Sequence, residues 1–191
     1  DWSSDVCSSD LADKQTAGKG QMGNTWESEH ALNLLCSIAW RPDNLSVQDQ
    51  SQINWMICAS LHKLLLRFGI DAKIKWPNDV YVRGKKIAGV LIENQIEGKR
   101  ISWTIAGIGL NVNQQSFENP NATSLSLEIQ TQIHIKTVLN ELIDIMNGYL
   151  HQWKIMAPQL KSEMETQLYQ KGELARYADA NGEFDGVIIG V

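Results

Sequence analysis

The sequence has few cysteines and histidines, and neither residue type forms a pattern that binds a metal. The three cysteines, Cys7, Cys36 and Cys58, are odd in number and follow no metal-ligand spacing. Cys36 and Cys58 lie in apolar runs, which is typical of buried thiols in a reducing cytosol. The four histidines form no His-x-His or His-Glu-x-x-His cluster. The sequence therefore predicts a cytoplasmic protein without a protein-ligated zinc.

Long apolar runs and an excess of positive charge are also missing. No apolar segment approaches the roughly 20 residues that a membrane-spanning helix needs. The net charge of −5, from 17 basic and 22 acidic residues, argues against non-specific binding of nucleic acid. The hydrophobic content of 43% is ordinary for a globular protein, and 191 residues suit one main domain with part of a second.

Residues 1–10 repeat the phrase Ser-Ser-Asp and show neither helical nor strand periodicity. They lack the basic start and apolar core of a signal peptide. We interpret them as a non-native or scar-like leader and exclude them from the predicted fold. On this interpretation the first elements of the domain are missing.

The segment from Gly18 to Gly23 is rich in glycine but matches phosphate-binding patterns only in part. The G-x-G-x-x-G fingerprint needs an apolar strand before it and an amphipathic helix after it, and neither flank has that pattern. The P-loop needs a lysine where Asn24 stands. With Gln15, Thr16 and Lys19, the segment could fold over an anionic ligand through its backbone N–H groups. A plain surface turn is the alternative.

Hydrophobic periodicity predicts strands and helices along the rest of the chain. Strands are predicted at residues 31–40, 72–76, 86–96 and 100–113, with a β-hairpin at 173–178 and 183–191. Helices are predicted from Ser46 to Gly69, from Ile135 to Trp153, and from Pro158 to Leu168. His62 falls off the apolar stripe of the first helix and is predicted to be solvated.

The stretch from Lys75 to Glu93 concentrates polar groups beside short β-rich runs. Because Pro77 cannot donate to a sheet ladder, the Trp-Pro-Asn-Asp segment should end a strand and enter a turn. Arg83-Gly84-Lys85 then predicts a hairpin turn into the next strand. A polar loop at the end of buried strands is a common location for a functional site.

Three glycines interrupt the paired strands that follow. One face of the strand 100–113 carries large side chains up to Ile105 and becomes bare at Gly107 and Gly109. Since glycine weakens a strand, this pattern needs a reason. Together with Gly89 on the neighbouring strand, these glycines could form a smooth floor under a flat ligand or another backbone. Bulges and tight packing are the alternative.

These segments resemble the biotin protein ligases of bacterial type, which attach biotin to carrier domains of carboxylases. The resemblance rests on residues 15–20 with Trp26, and on the motifs at 75–79, 86–93 and 107–113, which follow the family's order and spacing. It covers about residues 12–191. It implies an α+β fold with a mixed or antiparallel sheet flanked by helices, of the class II synthetase-like biotin–lipoate ligase type. A small SH3-like β-domain would begin after it.

The resemblance also implies roles for individual residues. Those expected to bind biotin and its adenylate are Gln15, Thr16, Gly18, Lys19, Gly20, Gln21, Lys86, Gly89, Gly107 and Gly109. Those expected to bind ATP are Trp26, Lys75, Asn78 and Asn111. Lys86, Lys19 and Asp79 would be catalytic, with Mg²⁺ on the pyrophosphate and no metal held by the protein. Positive charge is needed because a carboxylate attacks a phosphate, and Asp79 could orient or deprotonate the acceptor lysine.

The chain departs from the family pattern at two places. Lys19 and Gln21 stand where the family usually has arginines. Lys19 keeps the positive charge but cannot make the paired hydrogen bonds of a guanidinium, and Gln21 carries no charge. The Ser-Thr-Asn-like segment that holds the biotin ring in the family lies upstream of the glycine loop, and the leader stands in its place. The predicted organisation is a leader at 1–10, a catalytic domain at 11–170, and the truncated start of an SH3-like domain at 171–191.

Two other functions stay open from the sequence. A lipoate or octanoate ligase or transferase of the same fold shares the Lys-Trp-Pro-Asn-Asp motif in looser form. An inactive fragment could hold biotin or a carrier domain without completing catalysis. A biotin-sensing repressor would need a helix-turn-helix, and none is visible, so DNA binding is not expected. The expected partners are a biotin carboxyl carrier domain, biotin and ATP, and no membrane association is expected. The sequence leaves open whether the protein forms a homodimer.

Overall fold

The computed structural model describes residues 6–18, 20, 25–179 and 182–191, with the backbone alone for residues 6–9 and 153–154. Within these ranges the strands are β1 (Val6–Leu11), β2 (Asn33–Trp40), β3 (Lys73–Lys75), β4 (Asp79–Val82), β5 (Lys85–Glu97), β6 (Arg100–Asn111), β7 (Leu174–Asp179) and β8 (Gly182–Val187). The α-helices are α1 (Ser51–Arg67), α2 (Leu125–Ile129), α3 (Ile135–His151) and α4 (Trp153–Thr166), and a single-turn 3-10 helix covers Val47–Asp49.

Six of these strands form one antiparallel sheet in the order β1-β2-β6-β5-β4-β3. Strands β7 and β8 form a separate two-stranded sheet. Antiparallel neighbours can be joined by tight turns, and those after β4 and β5 contain Gly84 and Gly98. Their φ angles of +79° and +64° lie in the left-handed region that glycine adopts at no steric cost.

Helices α1 and α3 pack against one face of the large sheet, and α4 packs against α1. The large buried side chains of α1 recur every three or four positions and are Ile53, Met56, Ile57, Leu61, Leu64 and Leu65. Cys58, Ala59 and Ser60 are buried as well, because the sheet, α3 and α4 all pack against this helix. On β6, Thr104, Ala106, Ile108 and Leu110 alternate toward the core. The opposite face carries Gly107 and Gly109.

The structure confirms most of the predicted elements. Strand β2, helix α1, the β5–β6 hairpin, helix α3 and the β7–β8 hairpin lie within a few residues of the predicted bounds. Ser46 caps the single-turn 3-10 helix that precedes α1, where its hydroxyl accepts a hydrogen bond from the Gln48 backbone N–H at 3.2 Å. The sheet with flanking helices agrees with the predicted α+β class, and the small second sheet is consistent with the start of a β-domain.

The exclusion of residues 1–10 from the fold is wrong for residues 6–10. Val6–Leu11 forms β1 at the edge of the large sheet and pairs with β2, from Val6 opposite Trp40 to Leu11 opposite Cys36. An edge strand is held by backbone hydrogen bonds to its one neighbour, so it needs no alternation of apolar and polar side chains. Hydrophobic periodicity therefore cannot detect it.

The predicted start of the last helix is also wrong. Helix α4 begins at Trp153, and Pro158 lies inside it. A proline removes one backbone hydrogen bond of a helix, which is a local loss. The buried side chains of Leu160 and Met164 hold the same helix against the core. The short helix α2 has no counterpart among the predictions because five residues are too few to show a period.

Two smaller predictions have different outcomes. Cys36 and Cys58 are buried, as predicted, and burial raises the pKa of each thiol to about 12. His62 was expected in solvent, but it is partly buried, and this burial lowers the pKa of its imidazole, with a further contribution from Lys73. No helix in the described part of the chain is long and apolar enough to cross a bilayer.

Candidate active site

Two adjoining cavities lie over the glycine-bearing face of the sheet. The first has a volume of about 280 Å³ and is lined by Gln15, Gly20, Thr25, Trp26, Leu35, Lys75, Trp76, Pro77, Asn78, Asp79, Lys86, Gly89, Val90, Leu91, Gly107, Ile108 and Gly109. The second has a volume of about 640 Å³ and is lined by Thr25, Trp26, Glu27, Lys75, Asp79, Tyr81, Lys86, Asn111, Phe117, Glu118, Asn119 and Ala122. The side chains common to both mark the boundary between the two cavities.

The floor of the first cavity is a row of residues that crosses four strands. Asp79 on β4 pairs with Gly89 on β5, Gly89 pairs with Gly109 on β6, and Gly109 pairs with Leu35 on β2. Residues that pair across a sheet lie on the same face, so this row points into the cavity. Gly89 and Gly109 are therefore direct neighbours across the two strands.

The indole of Trp26 covers these two glycines. A Cβ atom added to Gly109 would lie 2.6 Å from the indole ring, and one added to Gly89 would lie 3.2 Å from it. At Gly107 the nearest atom would be the Leu91 carbonyl oxygen at 3.6 Å, which is an ordinary contact. The flat group that requires glycine is thus a side chain of the protein itself, while a Cβ at Gly107 would meet only Leu91.

Lys86 reaches the boundary between the cavities because of an irregularity in the β4–β5 ladder. Val80 pairs with Ala88, but Tyr81 pairs with Lys86, so Ile87 is an extra residue. Ile87 and Ala88 are both buried, and the bulge turns the Lys86 side chain to the same face as Gly89. Without this extra residue, strict alternation would turn Lys86 toward the core.

Asp79 fixes the ammonium group of Lys86. The Lys86 Nζ lies 2.7 Å from the Asp79 Oδ1, and both side chains are largely buried, with 29% and 21% of their surface exposed. The same Nζ lies 5.6 Å from the centre of the Trp26 ring. A cation that faces a carboxylate and an aromatic ring at once loses much of its freedom.

The backbone of Lys86 is fixed as well. Its N–H donates to the Asn121 carbonyl at 2.8 Å, and its carbonyl accepts from the Thr123 N–H at 2.9 Å. The loop before α2 thus pairs with the start of β5 and forms one side of the second cavity. Lys86 is held by its strand, by this loop and by Asp79.

The turn before β4 places Lys75 and Asn78 differently from each other. The Asn78 amide donates to the Val90 carbonyl at 2.5 Å, and the Val90 N–H donates back to the Asn78 carbonyl at 2.9 Å. Asn78 therefore joins the turn to β5 and lines the first cavity only. Lys75 lines both cavities, with its Nζ 5.0 Å from the centre of the Tyr81 ring.

The two ends of the glycine loop are joined beside the site. The Trp26 backbone N–H donates to the Gly18 carbonyl at 3.1 Å, and a Cβ on Gly18 would lie 2.6 Å from the Trp26 carbonyl oxygen. Gln15 and Gly20 line the first cavity, whereas Thr16 is exposed and lines neither cavity. Lys19 and Gln21 lie outside the described residues.

Several residues that line the cavities carried no signal in the sequence. They are Glu27, Phe117, Glu118 and Asn119 in the second cavity and Leu35 and Leu91 in the first. The loop residues 117–119 have no periodicity and no motif, and the sheet and the 25–29 segment bring them to the site through long-range contacts. In the sequence, Leu35 and Leu91 cannot be distinguished from the other apolar residues of their strands.

Two buried polar atoms at the site lack a hydrogen-bond partner within the described residues, the Trp26 Nε1 and the Asn111 Oδ1. The amide nitrogen of Asn111 donates to the Thr123 carbonyl at 3.0 Å, so its oxygen is oriented but unpaired. An unpaired buried polar group costs about 1–3 kcal/mol. Such atoms beside a cavity indicate hydrogen bonds reserved for a ligand.

Comparison with known proteins agrees with this geometry. The model of the biotin/lipoate A/B protein ligase family matches residues 3–112, which is more than half of the chain. The chain belongs to this family. All the strands that build the two-cavity site, β2 through β6, lie inside the matched residues.

Curated proteins of this family match the chain at moderate sequence identity. The chain is 42% identical over 122 residues to the bifunctional ligase/repressor BirA of Bacillus spizizenii, which covers 61% of this chain and 37% of the relative. It is 27% identical over 179 residues to the biotin–[acetyl-CoA-carboxylase] ligase of Mycobacterium tuberculosis, which covers 91% and 65%. The chain thus spans well under two thirds of the length of the curated BirA relative.

Solved structures give the same result. The biotin protein ligase of Aquifex aeolicus in complex with biotin and ATP superposes with a TM-score of 0.79 at 28% identity, and the match covers 96% of this chain and 77% of that one. The fold is therefore that of the ligase family.

We predict that Gly109→Ala displaces the Trp26 indole, because the added Cβ would lie 2.6 Å from the ring. The measurement is the indole N–H resonance of Trp26 in a ¹⁵N–¹H NMR spectrum, assigned with Trp26→Phe. Gly107→Ala is the matched control, since its Cβ meets only an ordinary contact. Gly109→Ala should shift the resonance and Gly107→Ala should leave it in place. An unchanged resonance in Gly109→Ala would contradict the packing.

Proposed function

We propose that this chain carries the activity of a biotin protein ligase. It activates biotin to biotinyl-5′-AMP with ATP and transfers the biotinyl group to a lysine of a biotin carboxyl carrier domain. The single observation that carries the proposal is the Lys86 ammonium, held by Asp79 at the boundary of two cavities. A ligase that joins a carboxylate to a nucleotide needs a fixed positive charge at the point where its two substrates meet.

The first cavity suits biotin. Leu35 and Leu91 lie on the same face of the sheet as the glycines and give it apolar lining, and its volume of about 280 Å³ suits a small bicyclic molecule. Lys86 lies at the end of this cavity that adjoins the second one. A biotin carboxylate at that end would meet the ammonium group.

The second cavity suits ATP. The unpaired Asn111 Oδ1 is an acceptor of the kind that the exocyclic amine of adenine requires, and Trp26 offers an aromatic surface. Lys75 lies in the same cavity and adds a second positive charge for the phosphates. The Aquifex aeolicus ligase, solved with biotin and ATP, supports the assignment of both ligands.

The chemistry takes two steps. In the first, an oxygen of the biotin carboxylate attacks the α-phosphorus of ATP, and the bond to pyrophosphate breaks. Two anions approach each other in this step, so Lys86 stabilises the developing charge on the α-phosphate. In the second, the amine of the carrier lysine attacks the biotinyl carbonyl, AMP leaves, and the amine loses a proton.

We infer that Asp79 acts first by orienting Lys86, since its carboxylate is 2.7 Å from that ammonium. The position of Asp79 in both cavity walls also supports the predicted role in accepting the proton of the carrier lysine. This second role stays a prediction. The two roles affect different steps, so they can be separated by experiment.

Magnesium would enter with the nucleotide. The exposed carboxylate of Glu118 lines the second cavity, and a hard oxygen ligand of this kind suits Mg²⁺ together with substrate phosphates and water. When bound, the ion would neutralise charge on the pyrophosphate leaving group. The expected setting is the cytoplasm, in line with the buried thiols of Cys36 and Cys58.

We predict that Lys86→Ala lowers the rate of adenylate formation by roughly 100-fold or more, because it removes the fixed charge at the α-phosphate. The assay is biotin-dependent exchange between pyrophosphate and ATP. Lys85→Ala is the matched control, since Lys85 is the exposed neighbour on the same strand and lines neither cavity. The control should retain wild-type exchange. Equal rates in both variants would exclude Lys86 from the chemistry, and exchange with lipoate but not biotin would favour a lipoate ligase.

We predict that Asp79→Asn lowers adenylate formation by about 10-fold or more, because Lys86 loses a charge-assisted hydrogen bond. Transfer from preformed biotinyl-5′-AMP to a carrier domain is measured separately in a single turnover. A loss confined to adenylate formation assigns Asp79 to orientation, and an equal or larger loss in transfer assigns it the proton as well. Asp71→Asn, which changes an exposed carboxylate paired with Lys73, is the control. Wild-type rates in both steps would contradict both roles of Asp79.

A further inference from the structure

We propose that Gln114 is a positioning residue for nucleotide binding, which holds together the two segments that form one wall of the second cavity. The inference rests on the proposed function for the identity of the ligand. Gln114 lies after β6, beyond the residues that the family model matches, and lines neither cavity. It would act through the residues that it binds.

The side chain of Gln114 is fully buried, and all its hydrogen-bonding capacity is used. Its Oε1 accepts from the Glu29 backbone N–H at 3.0 Å and from the Asn33 Nδ2 at 2.5 Å. Its Nε2 donates to the Glu27 Oε1 at 3.2 Å and to the Ser116 carbonyl at 2.9 Å. Two acceptor sites and two donor hydrogens are the complete inventory of a glutamine amide.

These partners belong to two segments that are distant in sequence. Glu27 and Glu29 follow Trp26, whereas Ser116 precedes Phe117 and Glu118. The segments also bind each other directly, because the Glu118 backbone N–H donates to both oxygens of the Glu27 carboxylate at 3.1 Å. Gln114 and Glu27 therefore form a clamp, which we call the Gln114 clamp.

The Gln114 clamp supports the second cavity far more than the first. Trp26, Glu27, Phe117 and Glu118 all line the second cavity, and of these Trp26 alone lines the first. The strand residues that form the floor of the first cavity are held by the sheet ladder instead. Loss of the clamp should therefore weaken binding at the nucleotide end and leave the biotin end intact.

The clamp requires an amide at position 114. A glutamate has nearly the same shape, but its second oxygen would face the Glu27 carboxylate and the Ser116 carbonyl, which are both acceptors. Two acceptors at these distances repel each other in a buried site. Gln114→Glu therefore breaks the clamp with almost no change in volume, and Glu27→Gln on the same chain restores a donor opposite the new carboxylate.

The test compares steady-state adenylate formation in wild type, Gln114→Glu, Glu27→Gln and the double variant. We expect Gln114→Glu to raise the KM for ATP by about 10-fold or more, which is the effect of one unpaired buried hydrogen-bonding group. The KM for biotin and kcat should stay within about 2-fold of wild type. The double variant should recover most of the KM for ATP, since one of the two repulsive contacts becomes a hydrogen bond.

The control is Gln132→Glu, which makes the same chemical change on an exposed side chain that lines neither cavity. A second readout, the indole N–H resonance of Trp26 without substrates, tests the clamp separately from catalysis. It should shift in Gln114→Glu and return in the double variant. If Gln114→Glu does not fold, Glu27→Gln alone should raise the KM for ATP, because one of the two oxygens that accept from the Glu118 N–H becomes an amide nitrogen, which is a donor.

Three results would overturn the proposal. They are a wild-type KM for ATP in a folded Gln114→Glu, an equal rise in both KM values, and a double variant no better than the single one. Absence of biotin-dependent adenylate formation in the wild type would reject the proposed function instead. The Trp26 resonance would then still decide whether the clamp holds this wall.

Discussion

The ion pair between Lys86 and Asp79 is the interaction on which the site depends. It joins the start of β5 to the start of β4 at 2.7 Å and places an ammonium group where the two cavities meet. The pair exists because Ile87 is an extra residue in the ladder, which turns Lys86 to the open face of the sheet. Backbone hydrogen bonds to the loop residues Asn121 and Thr123 fix the same strand from the other side.

The glycine row gives this charge its surroundings. Gly89 and Gly109 allow the Trp26 indole to lie against the sheet, and a larger residue at Gly109 has no room. The indole and the ion pair together separate an apolar cavity from a polar one. A single face of the sheet thus borders two cavities of different chemistry, and the Lys86 ammonium lies between them.

The strands and the local motifs could be predicted from the sequence because their signals are local. The apolar run at β2, the turn at Gly84 and the stripe of α1 each depend on residues close together in the chain. The motifs around Lys75, Lys86 and Gly107 were found in the same way, and the structure brings them together. The bulge at Ile87 was not predicted, because register depends on the partner strand.

Contacts between distant segments could not be predicted. Three partners of Gln114, namely Glu27, Glu29 and Asn33, precede it by 81 to 87 positions in the sequence. Around Gln114 itself the sequence shows only two adjacent glutamines. The edge strand β1 was missed because backbone pairing leaves no mark on composition, and α4 was misplaced because a proline normally marks a helix start. In each case tertiary packing decided the outcome.

The most direct test of the account is a crystal structure of the protein grown with biotin and ATP. The account predicts biotinyl-5′-AMP in the site, with the biotin rings in the first cavity over Gly107 and the adenine in the second. The bond between carboxyl and phosphate should lie within hydrogen-bond distance of the Lys86 Nζ. Adenine in the first cavity, or a ligand that does not contact Lys86, would contradict the account.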